Sequence, residues 1–336
     1  MDYQYNLQFG KLCSMLDIGD IIKTPKAISG GLLHRMFAIE TSKGKYAVKA
    51  LNPQIMARPT AENNYIMSEK IANIASKHIP AQPANIYNGT FLQNIDNQFY
   101  LVFDWGEGQS LKPRESTTVH CRMIGSMLAE IHLTDFSQID DKNENSNVIK
   151  EIDWNFYLNK GRENDSNWVN HFYDHIENLF LWNDRAQKSS FMLGGESVFS
   201  HRDLDPKNVM WIRNNPIIID WESAGSINPS HDLIESALYW SINESARIDK
   251  EKFHAFVSGY QQRFGNINAD WRLALELGYS SKLEWLEYSL KRSLGMECND
   301  ESEQEMGTIH VTETINALKG YDEMMPELIA WLENMK

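Results

Sequence analysis

The sequence predicts an α+β protein in two lobes, a small antiparallel β-rich lobe over residues 1–105 and a larger, mainly helical lobe over 106–336. Three observations predict it. Short apolar runs parted by a polar, glycine-bearing turn occupy the first third of the chain. Long segments with apolar residues at three- and four-residue steps occupy most of the rest. One all-β island interrupts those helices between Val209 and Trp221.

Taken in order, Ala27-Ile28-Ser29-Gly30-Gly31 leads into the apolar run Met36-Phe37-Ala38-Ile39. After the polar turn Thr41-Ser42-Lys43-Gly44-Lys45 comes Tyr46-Ala47-Val48-Lys49-Ala50-Leu51, and two such runs about a glycine read as consecutive antiparallel strands. From Ala61 to Lys77 the residues Ile66, Met67, Ile71, Ile74 and Ala75 mark one buried helix face, which Pro80 and Pro83 terminate. Phe99-Tyr100-Leu101-Val102-Phe103 is a further strand, and Gly106-Glu107-Gly108 breaks the pattern where the lobe boundary is placed. Arg122 to Leu133 is helical, with Met123, Ile124, Met127, Leu128 and Ile131 on one face, and long periodic segments rich in Trp and Tyr fill 151–190 and 231–336. The island reads as a hairpin: Val209-Met210-Trp211-Ile212, a turn at Arg213-Asn214-Asn215-Pro216, then Ile217 to Trp221. Asp140 to Asn147 is a polar loop, and no internal repeat is present.

Composition narrows the function classes. Apolar residues at 42% and charged residues at 23% are ordinary globular values, which excludes disordered and collagen-like chains. No apolar run approaches the ~18 residues of a membrane helix. Met1 to Tyr5 has neither the basic nor the apolar stretch of a signal peptide, so a soluble cytoplasmic protein is expected. Cys13, Cys121 and Cys298 are too widely spaced for a zinc knuckle or redox pair. The formal charge of −14 is uneven: residues 1–105 hold 10 basic and 8 acidic residues, leaving 22 and 38 beyond, a net of −16. Such a surface repels nucleic acid and anionic lipid and attracts cations, so neither nucleic acid nor membrane is an expected partner.

The densest polar cluster frames the hairpin. His201-Arg202-Asp203-Leu204-Asp205-Pro206-Lys207-Asn208 precedes it and Asp220-Trp221-Glu222 closes it. A tight hairpin joins its own ends, so Asp203, Asn208 and Asp220 are expected to converge although 17 residues separate the first from the last. Two carboxylates and an amide suit Mg²⁺, which takes oxygen ligands and needs only one or two carboxylates when substrate phosphates complete its shell.

This order of motifs resembles the aminoglycoside phosphotransferase and choline kinase superfamily, whose fold is similar to that of protein kinases. Tyr46-Ala47-Val48-Lys49 looks like the strand bearing the phosphate-binding lysine, and Tyr100 to Gly108 like the hinge over adenine. Asn228-Pro229-Ser230-His231-Asp232-Leu233 resembles the segment that supports the metal aspartate. The resemblance covers roughly residues 28 to 240 and implies ATP or GTP with Mg²⁺ as cofactors. It implies Asp203 as the group that accepts or orients the acceptor's hydroxyl proton, His201 as a catalytic-loop residue, and Asn208 and Asp220 as metal ligands. Lys49 would contact phosphates and be fixed by Glu62, with Glu69 the competing partner on the same helix. Backbone groups of Asp104 and Gly106 would meet the adenine edge, and Gly30 and Gly31 would let the backbone approach the phosphates.

Departures from protein kinases are informative. Ser29-Gly30-Gly31-Leu32-Leu33 replaces a G-x-G-x-x-G loop and Asp220-Trp221-Glu222 replaces D-F-G, which favours small-molecule kinases. The lysine usual two residues after the catalytic aspartate is absent and Asp205 stands there, so another cation acts or the substrate supplies one. Asp205, Glu222, Glu235 and Glu284 are candidates to meet a cationic acceptor, with Glu222 also a candidate for a second magnesium or a structural hydrogen bond. Trp154, Trp240, Trp271, Trp285 and Tyr288 could face a cation but at helical spacing read as core. The expectation is a γ-phosphoryl transfer to a hydroxyl of a small cationic molecule, an aminoglycoside-like antibiotic favoured. The alternatives are a metabolic kinase of choline, ethanolamine, amino sugar or homoserine type, or a nucleotide-binding module without transfer.

Overall fold

Ser42 and Lys43 form a two-residue turn because the Thr41 hydroxyl accepts the Lys43 and Gly44 amides, at 3.1 and 3.2 Å. Thr41 then pairs with Gly44, and the register runs back to Arg35 opposite Ala50. The computed structural model describes residues 4–28, 33–112, 115–139, 149–244, 247–298 and 300–335. Gly30, Gly31 and the loop expected at Asp140 to Asn147 lie outside them.

In chain order the elements are α1 (Phe9–Met15), β1 (Lys26–Ile28), β2 (Arg35–Thr41), β3 (Gly44–Ala50), α2 (Pro53–Met56), α3 (Ala61–Ala75), β4 (Gln93–Ile95), β5 (Gln98–Asp104), β6 (Gln109–Ser110) and α4 (Thr118–Leu133). There follow α5 (Trp154–Glu163), α6 (Val169–Leu193), β7 (Val198–Ser200), β8 (Val209–Ile212), β9 (Asn215–Ile218), β10 (Gly225–Ile227), α7 (Pro229–Trp240), α8 (Lys250–Phe264), α9 (Trp271–Leu277), α10 (Tyr279–Ser293) and α11 (Glu301–Glu333). The α+β class is as the sequence predicts. Among the described residues no helix is long and apolar enough to cross a membrane.

Packing divides the chain into two compact units: residues 1–140, 199–226 and 238–264 form one, and 141–198, 227–237 and 265–336 the other. This division differs from the expected boundary at 105, for two physical reasons. Strand β9 is bonded to the segment before the hinge, Ile218 N–H to the Pro80 carbonyl and Gln82 N–H to the Ile218 carbonyl, both at 2.9 Å. Helices α4 and α8 also pack tightly on one another, which draws residues 250–264 into the first unit.

In the first unit a five-stranded antiparallel sheet has the order β1-β2-β3-β5-β4. Alternation along β3 sends Val48 and Ala50 into a cluster with Ile39, Tyr100, Val102, the α1 residues Leu12 and Cys13, and Leu16 just after them. Ala47 and Leu51 join the opposite cluster, with Leu101, Phe103 and Tyr65 of α3. Lys49 lies between Ala47 and Leu51 in sequence phase and therefore belongs to the α3 side. Helix α1 has only seven residues, too few for apolar periodicity to mark it in the sequence.

The hairpin forms with a tighter turn than expected. Pro216 is a strand residue opposite Trp211, and Asn215 pairs with Ile212. Proline is tolerated there because β9 is an edge of the three-stranded sheet β6-β8-β9. The strand stops at Ile218 rather than Trp221 because Asp220 has left-handed backbone angles, φ 61° and ψ 59°. Helix α4 starts at Thr118, four residues before the apolar pattern, because Thr117 caps it with His120 as its box partner.

Two glycines let α4 and α8 meet backbone to backbone. A Cβ at Gly125 would lie 2.1 Å from the Phe256 carbonyl oxygen, and one at Gly259 would lie 2.1 Å from that of Arg122. The second unit is helical, with Trp182 stacked on Tyr279 at 5.8 Å and Trp168 Nε1 donating to Ser293 Oγ at 2.9 Å.

Gly125→Ala or Gly259→Ala is expected to force the two helices apart and destabilise the protein by about 1–3 kcal/mol or more. Gly320→Ala on α11 meets no atom within 4 Å and is expected to stabilise by about 0.5–1 kcal/mol. Denaturant unfolding checks both, and equal effects at the three positions would contradict the packing described.

Candidate active site

The loop between β7 and β8 is held by a histidine. His201 is fully buried; its Nδ1 accepts the Asp203 amide at 3.2 Å and its Nε2 lies 2.9 Å from the Ile219 carbonyl. A carbonyl only accepts and an amide N–H only donates, so the proton is on Nε2 and the ring is neutral. The ring also meets Trp221 edge-on at 4.8 Å. His201 thus ties the loop to the far end of the hairpin, and both its nitrogens are engaged in doing so.

Asn208 is buried and bonds to Asp203 twice, Nδ2 donating to the backbone oxygen at 2.8 Å and to Oδ2 at 2.9 Å. Since the amide nitrogen is turned to Asp203, Oδ1 is the group left to face elsewhere. The Ile219 amide donates to the Asn208 carbonyl at 2.9 Å, which carries the hairpin ladder one step further and brings Asp220 alongside. The expected convergence of Asp203, Asn208 and Asp220 follows from this ladder. Burial pushes the Asp203 carboxyl up to about 6, against the nearby Lys207 ammonium and the Asn208 hydrogen bond, with Asp205 and Asp220 adding to the rise. Asp205 turns its carboxylate to the Lys207 amide at 2.8 Å and so caps the turn Pro206–Asn208.

Lys49 is only 5% exposed and its ammonium meets Asp220 Oδ1 and, at 2.8 Å, Glu222 Oε2. Burial alone would lower this lysine, but the Glu222 and Asp220 carboxylates override it and hold the group above the ordinary lysine range. Glu222 is thereby a partner of Lys49. His34 adds a neutral ring: its Nδ1 accepts the Asn52 amide at 2.9 Å and its Nε2 lies 2.5 Å from the Tyr65 hydroxyl, and burial next to Lys49 lowers it to about 3.

Glu62 is not brought to Lys49. It stands exposed in the first turn of α3, and the ion-pair partners of Lys49 among the described residues are Asp220 and Glu222. The inward carboxylate of α3 is Glu69, 2% exposed, which accepts the Ala84 amide at 2.6 Å. Seven residues separate Glu62 from Glu69, so helical phase puts them on one face and only depth along the helix distinguishes them.

At the hinge the Asp104 carbonyl accepts the Gln82 side-chain amide at 2.5 Å, and its carboxylate accepts Asn85 Nδ2 at 2.9 Å. Gly106 permits close approach by Met210, whose Cε would be 2.5 Å from a Cβ there. Motif reading missed Gln82, Met210 and Lys207, and no spacing in the sequence marks them.

Glu235 and Glu284 belong to the second unit. Glu235 is buried, with Ser281 Oγ donating to it at 2.5 Å and His231 and Lys282 at 3.8 and 3.9 Å. Glu284 lines a cavity of about 190 Å³ with Glu287, Lys150, Asn183 and Ser280. Trp154 and Trp240 are fully buried core residues. No cluster of three or more His, Cys, Asp or Glu residues suited to a metal occurs among the described residues.

Residues 24–264 match the phosphotransferase enzyme family. A homoserine kinase of Hyphomonas neptunium is 24% identical over 255 residues, spanning 73% of this chain and 74% of its own. A spectinomycin phosphotransferase solved with ADP and spectinomycin is 14% identical with a TM-score of 0.68, covering 94% of this chain and 99% of that one. A microcompartment-associated aminopropanol kinase is 12% identical with a TM-score of 0.63, covering 95% and 98%. The structural likenesses establish a shared fold.

Burial raises the Glu69 carboxyl from 4.5 to about 7, against the Ala84 amide and Lys49. The unfolded chain releases this proton first, so the group's stabilisation is whole below pH 4.5 and is lost as pH rises to about 7. Glu69→Gln keeps an acceptor for Ala84 and cannot ionise. Its melting temperature relative to wild type is expected to rise by a few degrees between pH 4.5 and 7.5, on the scale set by unfolding entropy. Melts across that range check this, and a constant offset would contradict it.

Proposed function

The chain belongs to the phosphotransferase enzyme family and is a small-molecule kinase, and from that premise we propose that it moves the γ-phosphoryl group of ATP to the hydroxyl of a small amino alcohol in the cytoplasm. The observation that carries this reading is the junction at the hairpin's end, where Asn208 is bonded to Asp203 and Lys49 to Asp220. Asp203 is the group to orient and receive the acceptor's hydroxyl proton. Lys49 is the cation for the nonterminal phosphates. The segment around Asp104 and Gly106 faces the base, with Gly30 and Gly31 in the role of phosphate approach.

The donor set suits magnesium. Asn208 Oδ1 is left over once Nδ2 has bonded to Asp203, and among the described residues Asp220 Oδ2 has no protein donor. One carboxylate and one amide oxygen fit a hard ion that keeps waters and phosphate oxygens in its shell. Bound there, Mg²⁺ would neutralise charge on the nucleotide phosphates.

Homoserine, aminopropanol and spectinomycin, the acceptors named for the relatives, all join amines to hydroxyls. The net charge of −16 beyond residue 105 favours the cationic acceptors among them, aminopropanol and spectinomycin, over zwitterionic homoserine. A homoserine-type acceptor comes first because that relative shares more of the sequence, 24% against 14% and 12% for the other two. An aminoglycoside-like antibiotic is the second reading, supported by the same acidic excess.

Magnesium-dependent ADP release across homoserine, aminopropanol, ethanolamine, choline, spectinomycin and aminoglycosides tests the proposal. Turnover with a small amino alcohol is expected. Asp203→Asn should lower it by about 10²–10⁴-fold with nucleotide binding nearly kept, whereas Asp220→Asn should weaken magnesium-dependent nucleotide binding as well. Turnover with aminoglycosides alone selects the second reading, and release that no acceptor stimulates would sink both.

A further inference from the structure

We propose that Lys207 is a catalytic cation of this site, presented beside Asp203 by the turn that Asp205 caps, and that it stabilises charge on the phosphoryl group during transfer. The inference rests on the phosphotransferase reading above and names a residue for it that the motifs do not.

The reacting carboxylate stands in an anionic surrounding. Asp205 and Asp220 both bear on Asp203, and a nucleoside triphosphate adds further negative charge. Of the cations nearby, Lys49 is the one assigned to the nonterminal phosphates and is paired with Asp220 and Glu222. Arg202 is directed to Gly225, where its Nη1 would be 3.0 Å from a Cβ. Lys207 is different: its Nζ lies 3.5 Å from Asp203 Oδ2, and its side chain is 59% exposed, so it can meet an incoming ligand.

Its placement is built into the backbone. The Lys207 amide is held by Asp205 Oδ1 at 2.8 Å, and its carbonyl accepts Ser110 Oγ at 2.8 Å. Ser110 lies on β6, which is paired with β8, so the turn is fastened to the sheet that carries the hairpin. Pro206 opens the turn and fixes its first φ. The position two residues after Asp203 is therefore spent on a cap, and the cap returns the residue four positions on to the aspartate. This accounts for the missing lysine: the charge is supplied two residues later, by the residue that Asp205 positions.

In the step itself the acceptor's hydroxyl oxygen forms a bond to the γ-phosphorus while the bond from that phosphorus to the β,γ-bridging oxygen breaks. The bond's electron pair leaves with ADP, and the hydroxyl proton passes to Asp203. Lys207 exchanges neither proton nor electrons; its N–H groups face the oxygens on which charge gathers, an interaction worth most where the donors are already in place.

The test uses full-length protein and whichever amino alcohol the acceptor panel identifies. Lys207→Ala is expected to lower kcat by about 10²-fold, with KM for ATP and acceptor changed by less than about threefold, as for an interaction made mainly in the transition state. Lys207→Arg should restore most of the loss, and the melting temperature of both should match wild type because the side chain is exposed. Asp205→Ala should also slow turnover, and the double variant should be no slower than Lys207→Ala, since both remove one device. A kcat for Lys207→Ala within twofold of wild type overturns the proposal. So does an arginine variant as slow as the alanine one, or losses that simply add in the double variant. A wild type silent toward every acceptor overturns the parent reading, and this one with it, before any variant is made.

Discussion

An ammonium group withdrawn from water costs several kcal/mol unless carboxylates meet it, and Lys49, on the central strand of a five-stranded sheet, is met by Asp220 and Glu222 from 171 and 173 residues further along the chain. The sheet is covered on both faces, by α1 on one and α3 on the other. A lysine at this position therefore cannot reach solvent by a small rotation. The hairpin that brings the two acids must be fixed as firmly as the strand, and the bonds from Ile218 to Pro80 and Gln82 fix it. The sheet, the hinge segment and the catalytic loop are in this sense parts of one electrostatic arrangement.

Around that pair the loop is ordered by groups that carry no net charge. His201 and His34 are both neutral rings whose nitrogens hold backbone or hydroxyl groups in place. Asn208 uses its amide nitrogen to set the Asp203 carboxylate and keeps its oxygen for other use. Neutral ties position the charged groups without altering the balance among them. The charge available to a phosphate-bearing ligand is consequently set by few residues, chiefly Lys49 and Lys207 against Asp203, Asp205, Asp220 and Glu222.

Much of this was legible in the residue order. Asp203, Asn208 and Asp220 could be brought together from the hairpin between them, because a tight hairpin joins its own ends whichever of the residues 213–216 make the turn. The strand bearing Lys49 was legible from alternation. Glu62 and Glu69 were not separable, because both satisfy the same helical phase and what differs is depth at the helix end, which depends on the loop through Ala84. Asp205 read as a candidate for substrate because a carboxylate and a turn cap have the same spelling; only its bond to the Lys207 amide distinguishes them. Helix α1 was too short for periodicity, and β6, two residues long, has no pattern apart from its partner β8.

The glycine contact between α4 and α8 bears on how the protein is made. It joins parts of the chain as far apart as His132 and Tyr260, which share a 2.8 Å bond across 128 residues of sequence. Between them come all of residues 141–198 and 227–237, which belong to the other compact unit. A nascent chain that has emitted the five-stranded sheet and the catalytic hairpin still lacks α8, and α4 meanwhile offers the ribosome-side solvent a bare strip of backbone around Gly125. Closing so long a loop makes the last step of this unit's folding a slow one. Until residue 264 has emerged, the growing polypeptide carries a helix face shaped for a partner not yet synthesised.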